Sequence, residues 1–214
     1  SIARDLPQFS QYVKQRKWIR KSPIPFRLSG KTMGIVGLGR IGTAVALRAK
    51  AFGLKVIFYD PYKPAGYAKA LGIERVSKLK DLAGCSDIVT LHVPLTEETS
   101  GMIDANFFNQ CKPGAILINT ARGAVVDLEA LYRAMKDDQV KACGLDVLPV
   151  EPSDDSQKLI VAYEKNEDWI RGRLIVTPHV AFYSPESYEE MRRKAALEAK
   201  QILEGKPARN CVYG

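Results

Sequence analysis

From residue 32 to residue 176 the chain alternates short apolar runs with helical stretches, and this rhythm limits the possible folds more than any other feature. The apolar runs lie at 32–36, 55–59, 88–93, 115–119, 142–147 and 174–176. Helical stretches at 41–52, 77–83, 104–110 and 127–136 separate most of them. The runs are continuous, as in strands covered on both faces; a strand with one wet face alternates instead. Strand–helix alternation over this length predicts an α/β fold with a doubly wound parallel sheet.

Helical elements flank this body. Leu6, Phe9, Val13 and Trp18 recur at helical spacing, which predicts a helix over 4–18. Pro23 and Pro25 break the pattern, so 22–30 is a connector. A long amphipathic helix is expected over 185–205, with Met191, Ala195, Ala196, Ala199, Ile202 and Leu203 on its apolar side. Pro207 shortly after Gly205 is a helix stop. Residues 153–173 form a charged insert with a short helix at 157–163, and the sequence assigns it no role.

Between the first two apolar runs the chain reads Gly37-Leu-Gly39-Arg-Ile-Gly42, a G-x-G-x-x-G spacing. Alone this pattern is weak, but its context is specific. A strand-like run precedes it, a helical run follows it, and Asp60 ends the next strand about 20 residues on. Gly37 permits a tight turn, Gly39 lets backbone approach a pyrophosphate, and Gly42 lets helix and strand pack closely. The helix N-terminus then offers N–H groups and partial positive charge to phosphate, with Arg40 adding a full charge. Asp60 can accept from both ribose hydroxyls of an adenosine and would repel a 2′-phosphate, so NAD is favoured over NADP. The stretch therefore reads as a Rossmann NAD-binding cradle.

Composition excludes several alternatives. No apolar run approaches the roughly 20 residues of a membrane span, and no secretory signal is visible. Cys85, Cys111, Cys143 and Cys211 make no C-x-x-C pair and none lies at metal-ligand spacing to a histidine. They read as reduced thiols of a cytoplasmic protein that binds no metal. Formal net charge is +8, with the densest basic run at 14–21. That run has no repeat and no stacking series of aromatics, so it reads as a solvated face, and nucleic acid is not an expected partner.

Longer motifs add chemistry. "LHVPLTEET" (91–99), "NTARGAVVD" (119–127), "GLDVLPVEP" (144–152) and "TPHVAFYS" (177–184) resemble, in order and placement, those of the D-isomer-specific 2-hydroxyacid dehydrogenase family. The resemblance covers essentially the whole chain. "KAFGLKVIFYDPY" and the aromatic in "HVAFYS" are most similar to the branch of the C-terminal-binding-protein corepressors and their bacterial enzyme relatives.

The resemblance implies a hydride transfer between NAD(H) and a small D-2-hydroxy or 2-oxo acid. Arg122 would clamp the substrate carboxylate in two parallel bonds. His179 would be the general acid/base and Glu151 its carboxylate partner, raising the histidine pKa and fixing the ring. Cofactor contacts would come from Gly37, Gly39, Arg40, Ile41, Gly42 and Asp60, and from the loop carrying His92, Val93, Pro94 and Thr99. Thr120, Ala121, Asp146, His179 and Ala181 would line the nicotinamide side. His92 is as readily a satisfied structural histidine as a ligand. Phe182 stands where the corepressor branch has tryptophan. It either lines a pocket for a bulky apolar side chain or packs the core.

The same family implies a homodimer and a second, substrate domain built partly from a preceding segment. Residues 1–20 then read as a hinge helix, 21–183 as the NAD-binding domain, and 184–214 as a second hinge helix and the tail of an incomplete second domain. A chain that opens on Ser1 leaves room for that upstream segment. Two alternatives to an active dehydrogenase remain at this stage. One is an NAD(H)-sensing, corepressor-like binding module. The other is a cofactor-domain fragment without turnover.

Overall fold

The structure, a computed structural model, describes residues 1–22 and 24–208. By packing it divides into two units, one from Ser1 to Pro178 and one beginning at His179. The first is built on a single sheet. Its strands are β1 (Thr32–Val36), β2 (Lys55–Tyr59), β3 (Glu74–Arg75), β4 (Ile88–Leu91), β5 (Ala115–Asn119), β6 (Val140–Leu145) and β7 (Leu174–Val176). Their order is β3-β2-β1-β4-β5-β6-β7, and every pairing is parallel. The chain winds outward from β1 to β3, returns to β4 beside β1, and winds outward the other way. The strand order reverses between β1 and β4, which opens a crevice at their carboxyl ends.

Two apolar clusters cover the two faces. On one face α2 (Arg40–Ala51) turns Gly42, Ala46 and Ala49 inward, and Ala46 and Ala49 cluster with Ile35, Val56 and Phe58. On the other, α4 (Leu79–Cys85), α5 (Ala105–Gln110) and α6 (Leu128–Lys136) contribute Leu82, Phe107, Phe108, Leu131 and Met135 to the larger cluster. Small residues set the close approaches. A Cβ on Gly34 of β1 would meet Ser86 Oγ at 2.1 Å and Leu82 Cδ2 at 2.6 Å. Asp104 and Asp127 cap α5 and α6, accepting from the N–H groups of Phe107 and Ala130 at 2.8 and 3.0 Å. Such caps each contribute about 1 kcal/mol.

The insert is part of this core. In α7 (Lys158–Glu164) Leu159, Ile160 and Ala162 are buried, and Ile170 beyond it is buried too. Trp169 stands edge-on to Tyr132 of α6 at 5.7 Å, with Lys136 Nζ 4.5 Å from the Trp169 ring centre. Arg173 fastens the insert to its surroundings. Its guanidinium donates to the carbonyls of Met135, Val140, Lys141 and Trp169 at 2.7–3.1 Å and pairs with Asp138 at 2.9 Å. A fork of five donors suits an opening surrounded by chain-end carbonyls.

Several expected boundaries shift. The helix expected over 4–18 is a 3₁₀ turn at Ile2–Arg4 followed by α1 (Leu6–Lys14). It stops because Arg16 takes a left-handed φ of 59°. Trp18 therefore lies off the helix and is 77% exposed, and α1 buries none of its own residues. The strand expected over 142–147 starts at Val140, and the one expected over 88–93 ends at Leu91. Neither α3 (Tyr67–Leu71) nor β3 was expected. The first is a single turn and a half between left-handed glycines, and the second is two exposed residues, so neither carries an apolar pattern.

The second unit contains α8 (Pro185–Leu203). Ser184 caps it by a reciprocal box: Ser187 N–H donates to Ser184 Oγ at 3.1 Å, and Ser184 N–H to Ser187 Oγ at 2.8 Å. Met191, Ile202 and Leu203 on its apolar side are exposed, and α8 has no buried residue. Cys85, Cys111 and Cys143 are free thiols. Burial pushes the Cys111 thiol up to about 12 and Cys143 higher still. Cys211 lies outside the described residues.

Candidate active site

The crevice at the carboxyl ends of β1 and β4 holds a cavity of about 470 Å³. Gly37, Gly39 and Asp60 line it from the β1–β2 side, and His92, Val93, Pro94 and Thr99 from the loop after β4. Seven residues expected at the cofactor thus share one wall-to-wall space. Arg40, Ile41 and Gly42 form the first turn of α2, directly after it.

The three glycines divide the work as their spacing implied. Gly37 has φ +88°, and a Cβ there would strike the His92 carbonyl oxygen at 2.7 Å. A Cβ on Gly42 would lie 2.1 Å from the Gly37 carbonyl oxygen, so α2 can approach β1 only without it. A Cβ on Gly39 would meet nothing within 4 Å. Its missing side chain serves no packing within the protein and leaves the mouth of the turn open. Gly39 is also the N-cap of α2, with no side chain bonded to that helix end. This arrangement fits a pyrophosphate lying against backbone.

Asp60 is fixed on both oxygens. Oδ2 accepts from Leu38 N–H at 2.8 Å and Oδ1 from Tyr62 N–H at 3.0 Å. The carboxylate thereby ties the glycine turn to the loop after β2. Each oxygen keeps a second lone pair for a ligand hydroxyl. Arg75 of β3 braces the same loop, donating to the carbonyls of Asp60 and Lys63 at 2.9 Å and of Pro61 at 3.3 Å. The opposite wall is bonded within itself: Thr99 Oγ1 donates to the Pro94 carbonyl at 2.6 Å and accepts from Thr96 N–H at 2.8 Å. Its histidine is not an acid at neutral pH. Burial pushes His92 down to about 4, and its Nε2 lies 3.0 Å from Thr90 Oγ1.

The proposed chemical residues of the first unit sit further along the same edge. Thr120, Ala121 and Arg122 form the loop after β5, and Asp146 follows β6. Asn119, fully buried, shapes the loop: Oδ1 accepts from Ala121 N–H and Nδ2 donates to the Arg122 carbonyl, each at 3.0 Å. Its own carbonyl accepts from Asp146 N–H at 2.9 Å, so one residue joins the two loops. Arg122 is exposed, and its Nη1 donates to the Ala121 carbonyl at 2.6 Å. Gly123 packs against Leu148–Pro149, where a Cβ would fall 1.9 Å from the Leu148 carbonyl carbon. Glu151 Oε1 accepts from Leu148 N–H at 2.8 Å. Asp146, 5% exposed, accepts from Thr177 Oγ1 at 2.5 Å. Asn119 stood inside the "NTARG" motif with no role assigned to it; only its burial reveals one. Tyr62 and Met102, which also line the cavity, carried no role either; Glu98, which lines it too, was expected only as the end of the loop that runs along the cofactor, mostly by backbone.

His179 and Ala181 belong to the second unit. His179 is exposed and holds a left-handed φ of 54°. Within that unit its ring stands edge-on to Phe182 at 6.2 Å. Phe182 is 54% exposed, so it does not pack a core.

A doubly wound parallel sheet with an open glycine cradle at its switch point defines a dinucleotide-binding Rossmann domain. Comparison with known proteins narrows the class. Residues 1–181 match the model of the D-isomer specific 2-hydroxyacid dehydrogenase, NAD binding domain. The chain belongs to that family, and its cofactor is NAD. It is 38% identical over 212 residues to the D-3-phosphoglycerate dehydrogenase of Methanocaldococcus jannaschii, covering 99% of this chain and 38% of that protein. The D-lactate dehydrogenase of Aquifex aeolicus, complexed with NAD and lactic acid, superposes with a TM-score of 0.80 at 35% identity. That match covers 95% of this chain and 63% of the other. An acyclic imino acid reductase complexed with NADPH and D-Arg gives a TM-score of 0.83 at 28% identity, covering 99% of this chain and 64% of the other. The chain thus spans under two thirds of each of these relatives. Among the described residues no helix is long and apolar enough to cross a membrane.

Proposed function

We propose that this chain is the cofactor-binding part of an NAD-dependent D-2-hydroxyacid dehydrogenase. The observation that carries the reading is the open position at Gly39, above a turn that Gly37 and Gly42 hold by close backbone contact. NAD(H), when bound, would accept or supply the hydride at C2 of a small 2-hydroxy or 2-oxo acid. Gly37, Gly39, Arg40 and Ile41 would hold the pyrophosphate and Asp60 the adenosine ribose. His92, Val93, Pro94 and Thr99 would flank the adenosine side. Thr120, Ala121 and Asp146 would orient the nicotinamide, with Ala181 beside it. Arg122 would grip the substrate carboxylate in two parallel bonds. His179 would give a proton to the carbonyl oxygen in reduction and take it back in oxidation, and Glu151 would favour its charged form. We read residues 1–20 as a hinge helix, 21–183 as the cofactor domain, 184–214 as a second hinge helix and the tail of an incomplete substrate domain, and the whole as a cytoplasmic homodimer.

NADH and NADPH titrated into the protein by fluorescence, beside Asp60→Ala, test the cofactor half. Binding of NADH that weakens at least ten-fold in the variant, about 1.4 kcal/mol, is expected. The catalytic half is tested in a chain of the relatives' length. There His179→Ala is expected to lower kcat by at least about a hundred-fold, and near-normal turnover would remove His179 from the reaction.

A further inference from the structure

The cofactor cavity has a second acidic residue on its far wall. Glu98, on the loop after β4, lines it opposite Asp60. Tyr62, on the loop after β2, donates its hydroxyl to Glu98 Oε2, so one hydrogen bond joins the two walls. Tyr62 N–H is itself held by Asp60 Oδ1 at 3.0 Å. Asp60, Tyr62 and Glu98 therefore form one connected chain from the root of the β2 loop to the other side of the cavity.

Among the described residues no lysine or arginine lines this space. Its histidine, His92, is neutral at pH 7 because burial lowers its pKa to about 4. The nearby cation Arg75 directs its guanidinium at the carbonyls of Asp60, Pro61 and Lys63. Asp60 and Glu98 are thus the charged side chains among the described lining residues, and the Arg75 cation lies behind the loop that carries Asp60. A ribose with a free 2′-hydroxyl brings no charge into this space. A 2′-phosphate brings nearly two negative charges.

We propose that Glu98 is a second specificity-determining residue, acting with Asp60 to exclude the 2′-phosphate of NADP(H), and that Tyr62 positions it. The inference rests on the assignment of this cavity to the adenosine end of the cofactor. An exposed glutamate on a loop samples several rotamers, and its charge is diluted by water. A hydroxyl donor anchored through Asp60 fixes that charge on the cavity wall. If Glu98 served only as the acceptor for Tyr62, glutamine would replace it without consequence, because its carbonyl oxygen accepts equally well.

The test is the ratio of NADPH to NADH dissociation constants, measured by fluorescence titration on wild type, Glu98→Gln and Tyr62→Phe at low ionic strength and at about 0.5 M salt. Circular dichroism checks that each variant is folded. The ratio is expected to fall about three-fold or more in Glu98→Gln at low salt, because one unit of repulsion on a doubly charged phosphate is removed. High salt should shrink that difference. Tyr62→Phe should lower the ratio by a smaller factor, because the charge stays but is no longer held. An unchanged ratio in Glu98→Gln, with NADH still bound, would overturn this inference alone. Failure of wild type to bind NADH would overturn the cofactor reading and this inference with it.

Discussion

The loops after β1 and after β5 leave the same edge of the same sheet, but different atoms hold them. The first is shaped by side chains that are missing. Gly37 takes a left-handed φ beneath the His92 carbonyl, and Gly42 lets α2 close on the Gly37 carbonyl. The second is shaped by a side chain that is present. Asn119, fully buried, bonds the Ala121 N–H and the Arg122 carbonyl, and its own carbonyl reaches Asp146. Only one glycine is critical there, and it faces the neighbouring loop. A Cβ on Gly123 would fall within 1.9–2.4 Å of Leu148 and Pro149 backbone atoms. The first loop is held by its own glycines and by the Asp60 carboxylate on the Leu38 N–H. The second keeps its shape only together with the Asp146–Glu151 segment, which carries two of the proposed site residues.

Substitutions can break this contrast. The largest expected loss is from Gly123→Ala. Backbone at 1.9 Å cannot yield as a flexible side chain would, so the two loops must separate. We expect a destabilisation of about 4 kcal/mol, measured from the urea midpoint. A change below about 1 kcal/mol would mean that the loops are not locked together. Asn119→Ala ranks next. It removes two hydrogen bonds and leaves the N–H of Ala121, itself buried, without its acceptor. Such groups cost about 1–3 kcal/mol. Urea unfolding should show a loss of about 2 kcal/mol, and a loss near zero would mean that the loop takes its shape from elsewhere.

The same contrast accounts for what the sequence revealed. The first loop was legible because glycine at fixed spacing between a strand and a helix has few other uses. The strands at 32–36, 55–59, 115–119 and 174–176 were legible to the residue, because burial on both faces leaves a continuous apolar run. Asn119 was not legible as a shaping residue. A polar residue ending an apolar run looks like any strand terminus, and its role lies in backbone N–H and carbonyl groups that have no sequence signature. The insert was opaque for a related reason. Its charged letters describe the surface of α7, whereas Leu159, Ile160 and Ile170 bury and Arg173 spends its charge on carbonyls. In α1 the helical spacing of Leu6, Phe9 and Val13 did mark a helix, though one shorter than the 4–18 expected, and Leu6 and Val13 on it are exposed. Periodicity reports a helix's stripe but not what covers it. Arg122 and Glu151 were legible only through resemblance, since spacing alone gives an arginine or a glutamate no chemistry.

Gly39→Ala sharpens the contrast at its smallest structural effect. Of the three glycines in the first loop, Gly39 alone has room for a methyl group, with no atom within 4 Å of the added carbon. Its φ of −76° and ψ of −160° lie in extended backbone that alanine adopts without strain. Folding stability should therefore change by less than about 0.5 kcal/mol, with the reduced freedom of the unfolded chain favouring alanine. Binding should respond differently. If a pyrophosphate lies against this backbone, the methyl group occupies its place and pushes phosphate away from the first turn of α2. NADH affinity should fall at least ten-fold, about 1.4 kcal/mol. Urea unfolding and NADH titration of the same preparation separate the two effects. A variant that is stable and blind to NADH means that Gly39 is kept open for a ligand. A variant that is stable and binds NADH as wild type does would place the pyrophosphate elsewhere, and the cavity beside Asp60 would lose its assignment. Gly37 and Gly42 cannot give this answer, because at both positions an added Cβ disturbs the fold before any ligand arrives.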